Sequence, residues 1–103
     1  MKITVSKEAA AELEEAVAWY DEEEAGLGVR LIDAFEHAVQ LLREPNPPLT
    51  PILGKAASLG AKKLILHRFP FSLVVLQTRR MMVIVALAHH AQRPGYWAKR
   101  VRF

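Results

Sequence analysis

The run KKLILHRFPFSLVVLQTRRMMVIVALA, residues 62–88, decides the fold class. It holds three apolar stretches: Lys62 to Phe69, Phe71 to Leu76 and Met82 to Ala88. Leu, Ile and Val dominate them, and each has the length of a strand rather than of a helix. Pro70 separates the first two, because its fixed φ and missing N–H interrupt a ladder. Thr78, Arg79 and Arg80 make the second turn. Connections this short join antiparallel neighbours, so the segment predicts a three-stranded meander. Strands apolar at consecutive positions must be covered on both faces, which makes them central strands.

Two amphipathic helices precede this segment. Ser6 reads as an N-cap, with Glu8 in the first turn, where the helix dipole favours an acid. Ala9, Leu13, Ala16, Val17 and Tyr20 then recur at three- and four-residue spacing as one apolar stripe. Glu12, Glu14, Glu15 and the run Asp21 to Glu24 fill the other faces, and Trp19 falls off the stripe centre. Gly26 and Gly28 interrupt the pattern, and a second stripe follows: Leu31, Ile32, Phe35, Ala38, Val39 and Leu42. Helices joined by so short a turn lie antiparallel. They cannot fully cover each other's stripes, so a sheet is their expected cover.

Pro45, Pro47, Pro48 and Pro51 end the second helix, and Glu44 to Gly60 is expected to be a loop, long for so small a domain. Ile3 and Val5 alternate with polar neighbours as a short first strand. The tail from His89 to Phe103 is basic and aromatic, with a turn at Pro94-Gly95. The expected fold is therefore α+β, one domain over residues 1–103, in the order β-α-α-β-β-β: a helical hairpin packed on a small antiparallel sheet.

The 103 residues suit a single domain, and 51% hydrophobic residues suffice for a small core. With no cysteine, the domain must rest on packing alone, as suits a reducing cytoplasm. Met1 to Ser6 is not a basic region followed by a long apolar one, so no export signal is read there. No apolar stretch approaches the roughly 20 residues needed to span a bilayer. The expected location is cytoplasmic, away from the membrane.

The net charge of +3 conceals a split. All 11 acidic residues lie at or before Glu44, and from Lys55 onward there are ten Lys or Arg and no acid. Some of these cations will pair with the acidic half. The remainder point to an anionic partner, either nucleic acid or an acidic stretch of another protein.

Chemistry-bearing clusters are few. His89 and His90 are adjacent, so on a strand they face opposite ways. The expectation is one partly buried imidazole with a hydrogen bond and one exposed imidazole. No carboxylate or cysteine joins them and His67 in sequence, so neither a metal nor a cofactor is expected. No Gly-rich phosphate loop, Ser-His-Asp arrangement or paired acid couple is evident. Tyr96 and Trp97 lie among Arg93, Lys99, Arg100 and Arg102. Such a mixture suits base stacking or interface anchoring, while Trp97 alone reads equally well as core. Asp21 to Glu24 close the first helix, where the dipole disfavours acids. They read as a solvated helix end or as a partner contact.

Three stretches together resemble the ParE/RelE toxin superfamily, with the ParE branch favoured. They are Glu14-Glu15-Ala16-Val17-Ala18-Trp19-Tyr20 with Gly26-Leu27-Gly28 and Phe35, then Leu66-His67-Arg68-Phe69-Pro70-Phe71, and Leu87-Ala88-His89-His90 running into Arg93-Pro94-Gly95-Tyr96-Trp97. The resemblance covers nearly the whole chain. It implies the toxin of a type II toxin-antitoxin, plasmid-stabilisation type pair that arrests growth. The expected partners are a ParD-like antitoxin encoded nearby and DNA gyrase as the target, or the ribosome and its mRNA if the chain is a RelE-like endoribonuclease. At the positions where the ribonuclease branch carries arginines and a tyrosine, this chain has Ser72, Ala91 and Trp97. Arg68, Arg93 and Tyr96 are the candidates to replace them, which makes a binding toxin the favoured reading over an enzyme. The expected target-binding residues are Arg68, Arg93, Tyr96, Trp97, Lys99, Arg100 and Arg102. The expected antitoxin contacts are Trp19, Tyr20, Phe35, Lys62 and Lys63.

Overall fold

A computed structural model describes residues 2–52 and 59–101. Its elements are β1 (Lys2–Val5), α1 (Lys7–Glu23), α2 (Leu27–Leu42), β2 (Thr50–Pro51), β3 (Lys62–Ile65), β4 (Phe71–Gln77) and β5 (Met81–His89), followed by a short 3-10 turn at Ala98–Arg100. Ser6 caps α1 as its residue type predicts: its Oγ accepts the Ala9 N–H at 3.0 Å.

The turn between the helices solves a problem that the acids pose. Gly26 takes a left-handed φ of 95°, which ends one helix and aims the next. Gly28 is not part of the turn but lies in the first turn of α2, where its N–H donates to Asp21 Oδ1 at 2.8 Å. Asp21, badly placed for the dipole of α1, thus satisfies an open N–H at the start of α2. A Cβ on Gly28 would lie 2.6 Å from Asp21 Oδ2, so glycine leaves room for the carboxylate. Losing this cap should outweigh the relief of removing an acid from the end of α1. Asp21→Ala is expected to destabilise the protein by about 1 kcal/mol, measurable by urea unfolding.

The sheet runs in the order β1-β5-β4-β3-β2. Strands β3, β4 and β5 form the expected antiparallel meander. β1, however, pairs parallel with β5, in register from Lys2 opposite Met81 to Val5 opposite Ile84, so the sheet is mixed. The helical hairpin carries the chain over one face and lets β1 and β5 run the same way. The proline-rich segment expected to be loop contributes a fifth strand, β2, paired with β3. Pro51 is tolerated there because an edge strand has one side without a ladder. β3 ends at Ile65, earlier than the apolar run suggests. The chain turns at residues 66–70, with Arg68 at a φ of 71° and the Leu66 N–H bonded to the Phe71 carbonyl at 2.9 Å.

Side-chain alternation sorts the core into two layers. Leu73, Val75, Met82, Ile84 and Leu87 pack with Leu31, Phe35, Ala38 and Leu42 on the helix side. Val74, Leu76, Val85 and Ala86 face the other way and pack with Trp97. Val74 pairs with Ala86 and Val75 with Ile84, so Val85 is the extra residue of a β-bulge. That bulge puts Val85 and Ala86 on one face and frees the Val85 carbonyl for other partners. Among the described residues no helix is long and apolar enough to cross a membrane.

Candidate functional site

β1 is too short to cover the whole of β5. Its pairing stops at Ile84, which leaves the edge of residues 85–89 without a strand neighbour. Polar side chains close that edge. Ser6 Oγ and Arg100 Nη1 donate to the Val85 carbonyl at 3.3 and 3.1 Å. Glu12 Oε1 accepts the Leu87 N–H at 3.1 Å, and Gln92 Oε1 accepts the His89 N–H at 2.8 Å. Glu12 then draws in the tail. Arg100 donates to both carboxylate oxygens, at 2.8 and 3.2 Å, and the Tyr96 hydroxyl donates to Oε2. The Arg100 guanidinium also lies 5.1 Å from the centre of the Tyr96 ring.

Burial, reinforced by the hydrogen bond to Glu12, pushes the Tyr96 phenol well above its usual range. The hydrogen bond to Glu12 likewise raises Arg100. For a tyrosine, a raised folded-state pKa means that the native protein keeps a proton that the unfolded chain has lost. The associated stability is therefore present below about pH 10 and falls as pH rises beyond it. We expect stability to decline steeply above pH 10 in the wild type and less steeply in Tyr96→Phe. Urea midpoints measured at several alkaline pH values check this.

The residues singled out from sequence fall into three groups. Trp97, expected at a target interface, is only 3% exposed and belongs to the core of the open sheet face. Phe35, expected to anchor an antitoxin, is 7% exposed among the helix-side core, because its place at the centre of the α2 stripe turns it onto the sheet. Both side chains pack in the core. Tyr96 and Arg100 are bound to Glu12, so part of the cationic tail does pair with the acidic half. Arg68, Arg93, Lys99 and Lys62 are exposed, Lys63 is half-buried, and Arg102 lies outside the described residues. Trp19 is 56% exposed and meets Tyr20 edge to face at 4.9 Å. Tyr20 in turn rests edge to face against Phe69 at 5.2 Å.

Two cavities gather several of the remaining polar groups. One, of about 320 Å³, opens on the sheet face away from the helices and is bordered by Lys63, Ser72, His90, Arg93, Tyr96 and Trp97. Ser72 is the buried polar residue of β4, and its Oγ lies 2.9 Å from His90 Nε2. The other imidazole, His89, is half-buried against the edge of Phe71 at 5.0 Å, with Nδ1 accepting the Ala91 N–H. The second cavity, of about 610 Å³, lies on the helix side between α2 and the β3–β4 corner, and Arg68 lines it. Arg68 therefore does not share a cavity with Arg93 and Tyr96. Sequence reasoning missed Glu12 and the Ser72–His90 pair. A serine inside an apolar central strand was the available signal for the latter.

No family model matches the sequence, and no curated protein matches it. The structure does have a solved counterpart. A chain of the chromosomal ParDE TA system from P. aeruginosa aligns over 86% of this chain and 95% of that chain, with a TM-score of 0.73 and 18% sequence identity. This protein therefore has the fold of that ParDE chain, two helices packed on a mixed five-stranded sheet; the helical hairpin on a sheet is as expected from sequence, whereas the parallel pairing of β1 and the fifth strand are not.

Proposed function

We propose that this chain is the toxin of a type II toxin-antitoxin pair, ParE-like in action: a cytoplasmic protein that binds DNA gyrase without covalent chemistry and is neutralised by a ParD-like antitoxin encoded nearby. The observation that carries the choice of a binding toxin over a nuclease is the dispersal of the candidate catalytic groups. Arg68 lines the helix-side cavity, whereas Arg93 and Tyr96 line the opposite one. Tyr96 is also held protonated by burial and by Glu12, which makes it a poor general base near neutrality. Arg93 and Lys99 remain exposed on the tail, suited to an anionic protein surface.

The test is a supercoiling assay with purified gyrase. Inhibition is expected, and Arg93→Glu with Lys99→Glu should weaken it at least about tenfold, since each reversal replaces attraction with repulsion. Arg100 is left intact in this variant because its loss would unfasten the tail. Unchanged supercoiling overturns the reading. The cavity holding Ser72, His90, Lys63 and Arg93 favours a RelE-like endoribonuclease as the second reading. Specific mRNA cuts on the ribosome, abolished by Arg93→Ala, would establish it.

A further inference from the structure

Strand register builds the cavity of about 320 Å³ on the open sheet face. Ser72 of β4 stands opposite Ile65 of β3 and Ala88 of β5. Residues two apart on a strand share a face, so Lys63 and His90 join Ser72 on its side of the sheet. They are its diagonal neighbours, one on each flank, a spacing that long and aromatic side chains can bridge. The His90 N–H donates to the Pro70 carbonyl at 2.8 Å, which carries the ladder one residue past β5 and sets the backbone beneath the imidazole. Arg93 reaches the same cavity from the tail.

The pair at its floor has the parts of a nucleophile and its base. Ser72 Oγ lies 2.9 Å from His90 Nε2. With its ring proton on Nδ1, the imidazole accepts the Ser72 hydroxyl, the relation by which a histidine readies a serine for attack. Ser72 is 4% exposed, and Ile65, Val74 and Trp97 give the cavity apolar walls. Among the described residues no carboxylate borders it, and its charged groups are Lys63 and Arg93. The cavity is therefore suited to negative charge, whether carried by a ligand or developed during a reaction. The strands thus bring together the first two members of a Ser-His-Asp arrangement and leave out the third.

We propose that Ser72 is the nucleophile, and His90 the general base, of a slow esterase site for small esters that carry a carboxylate. Ser72 Oγ bonds to the ester carbonyl carbon while its proton passes to His90 Nε2. The carbonyl oxygen takes up the negative charge, which Lys63 stabilises. As the carbonyl reforms, the bond to the alcohol oxygen breaks, and His90 returns the proton to the departing alkoxide. Water then attacks the acyl-serine by the same route, releasing the acid and restoring Ser72. Ester and water thus give acid and alcohol, with no cofactor consumed. Arg93, exposed at the rim, receives the carboxylate of the substrate. Turnover is slow because no acid orients His90. RNA cleavage would supply its own nucleophile, the 2′-hydroxyl, and leave Ser72 idle, so the dyad favours acyl transfer. No step involves gyrase, and the inference does not rest on the toxin reading.

The probes are 4-acetoxybenzoate and its neutral methyl ester, incubated with the full chain and followed by release of the phenol. For the acid, kcat/KM is expected to exceed that of Ser72→Ala and of His90→Gln at least about tenfold. Lys63→Met should lower kcat about tenfold for both esters. Arg93→Ala should raise KM for the acid about fivefold and leave the methyl ester unchanged. Phenylmethanesulfonyl fluoride should label Ser72, as located by peptide mass spectrometry, and 4-hydroxybenzoate should slow the labelling. His90 is exposed, and Ser72→Ala removes one hydroxyl among apolar neighbours, so both variants should keep the wild-type Tm. Should either fail to fold, the site of the label decides. Hydrolysis by a folded Ser72→Ala equal to that of the wild type, a sulfonyl group found elsewhere than on Ser72, or equal turnover of the acid and its methyl ester would each overturn the proposal.

Discussion

Trp97→Ala is expected to lower the unfolding free energy by about 3–5 kcal/mol, the range for truncating a large aromatic in a core. For a chain of this length that corresponds to a fall in Tm of roughly 15 °C or more. The size of the effect follows from the position of the ring. The helices cover only one face of the sheet, and the other face presents Val74, Leu76, Val85 and Ala86. Trp97 is the large side chain that shields them, with Tyr96, Ile52, Val83, Ala88 and Val101 packed around. Trp97→Phe keeps part of that cover and should lose less than half as much. Thermal unfolding followed by circular dichroism separates this from an interface role. An interface anchor would leave Tm unchanged and lose only partner binding.

That expectation is one of the points at which sequence and structure part. Trp97 stands among cations, and cations near an aromatic look the same in sequence whether the ring faces a partner or the sheet. The cue to its burial is topological: a central strand such as β4, apolar on both faces, needs a second cover, and only the tail is left to supply it. Local features were legible because local physics produces them. Ser6, the two helical stripes and the interruptions at Pro70 and Arg79 each act within a few residues. The parallel pairing of β1 with β5 joins residues nearly eighty positions apart, and no nearby residue type specifies direction. β2 was hidden by the prolines around it, whose presence argues against a strand anywhere but at an edge. Asp21 and Gly28 are seven residues apart, and the acid at an unfavourable helix end was the trace they left. Arg68 stood near the Pro70 break, but nothing local gave the face of the sheet on which it would lie.

Glu12 had a comparable trace. It stands three residues after Ala9 and four before Ala16, at the border of the apolar stripe of α1 rather than on the other faces to which the sequence reading assigned it with Glu14 and Glu15. A carboxylate on a buried face needs partners, and Glu12 has three: the Leu87 N–H, the Tyr96 hydroxyl and the Arg100 guanidinium. Glu12→Ala removes the acceptor for all of them at once. The side chains of Arg100 and Glu12 are 22% and 19% exposed, so water only partly replaces what is lost. The expected destabilisation is about 2–4 kcal/mol, above that of a surface ion pair and near that of a broken buried one. Glu12→Gln keeps an acceptor oxygen but turns an amide N–H₂ toward Arg100, and should fall between Glu12→Ala and the wild type. Arg100→Leu in the Glu12→Ala background should recover part of the loss, because the guanidinium is then no longer left without its acid. A double-mutant cycle by urea unfolding should give a coupling of about 1–3 kcal/mol. Hydrogen exchange should show the Leu87 amide and the tail losing protection together, since one carboxylate fastens the tail to the uncovered edge of β5. A loss under about 0.5 kcal/mol with no measurable coupling would mean that packing around Trp97 alone holds the tail.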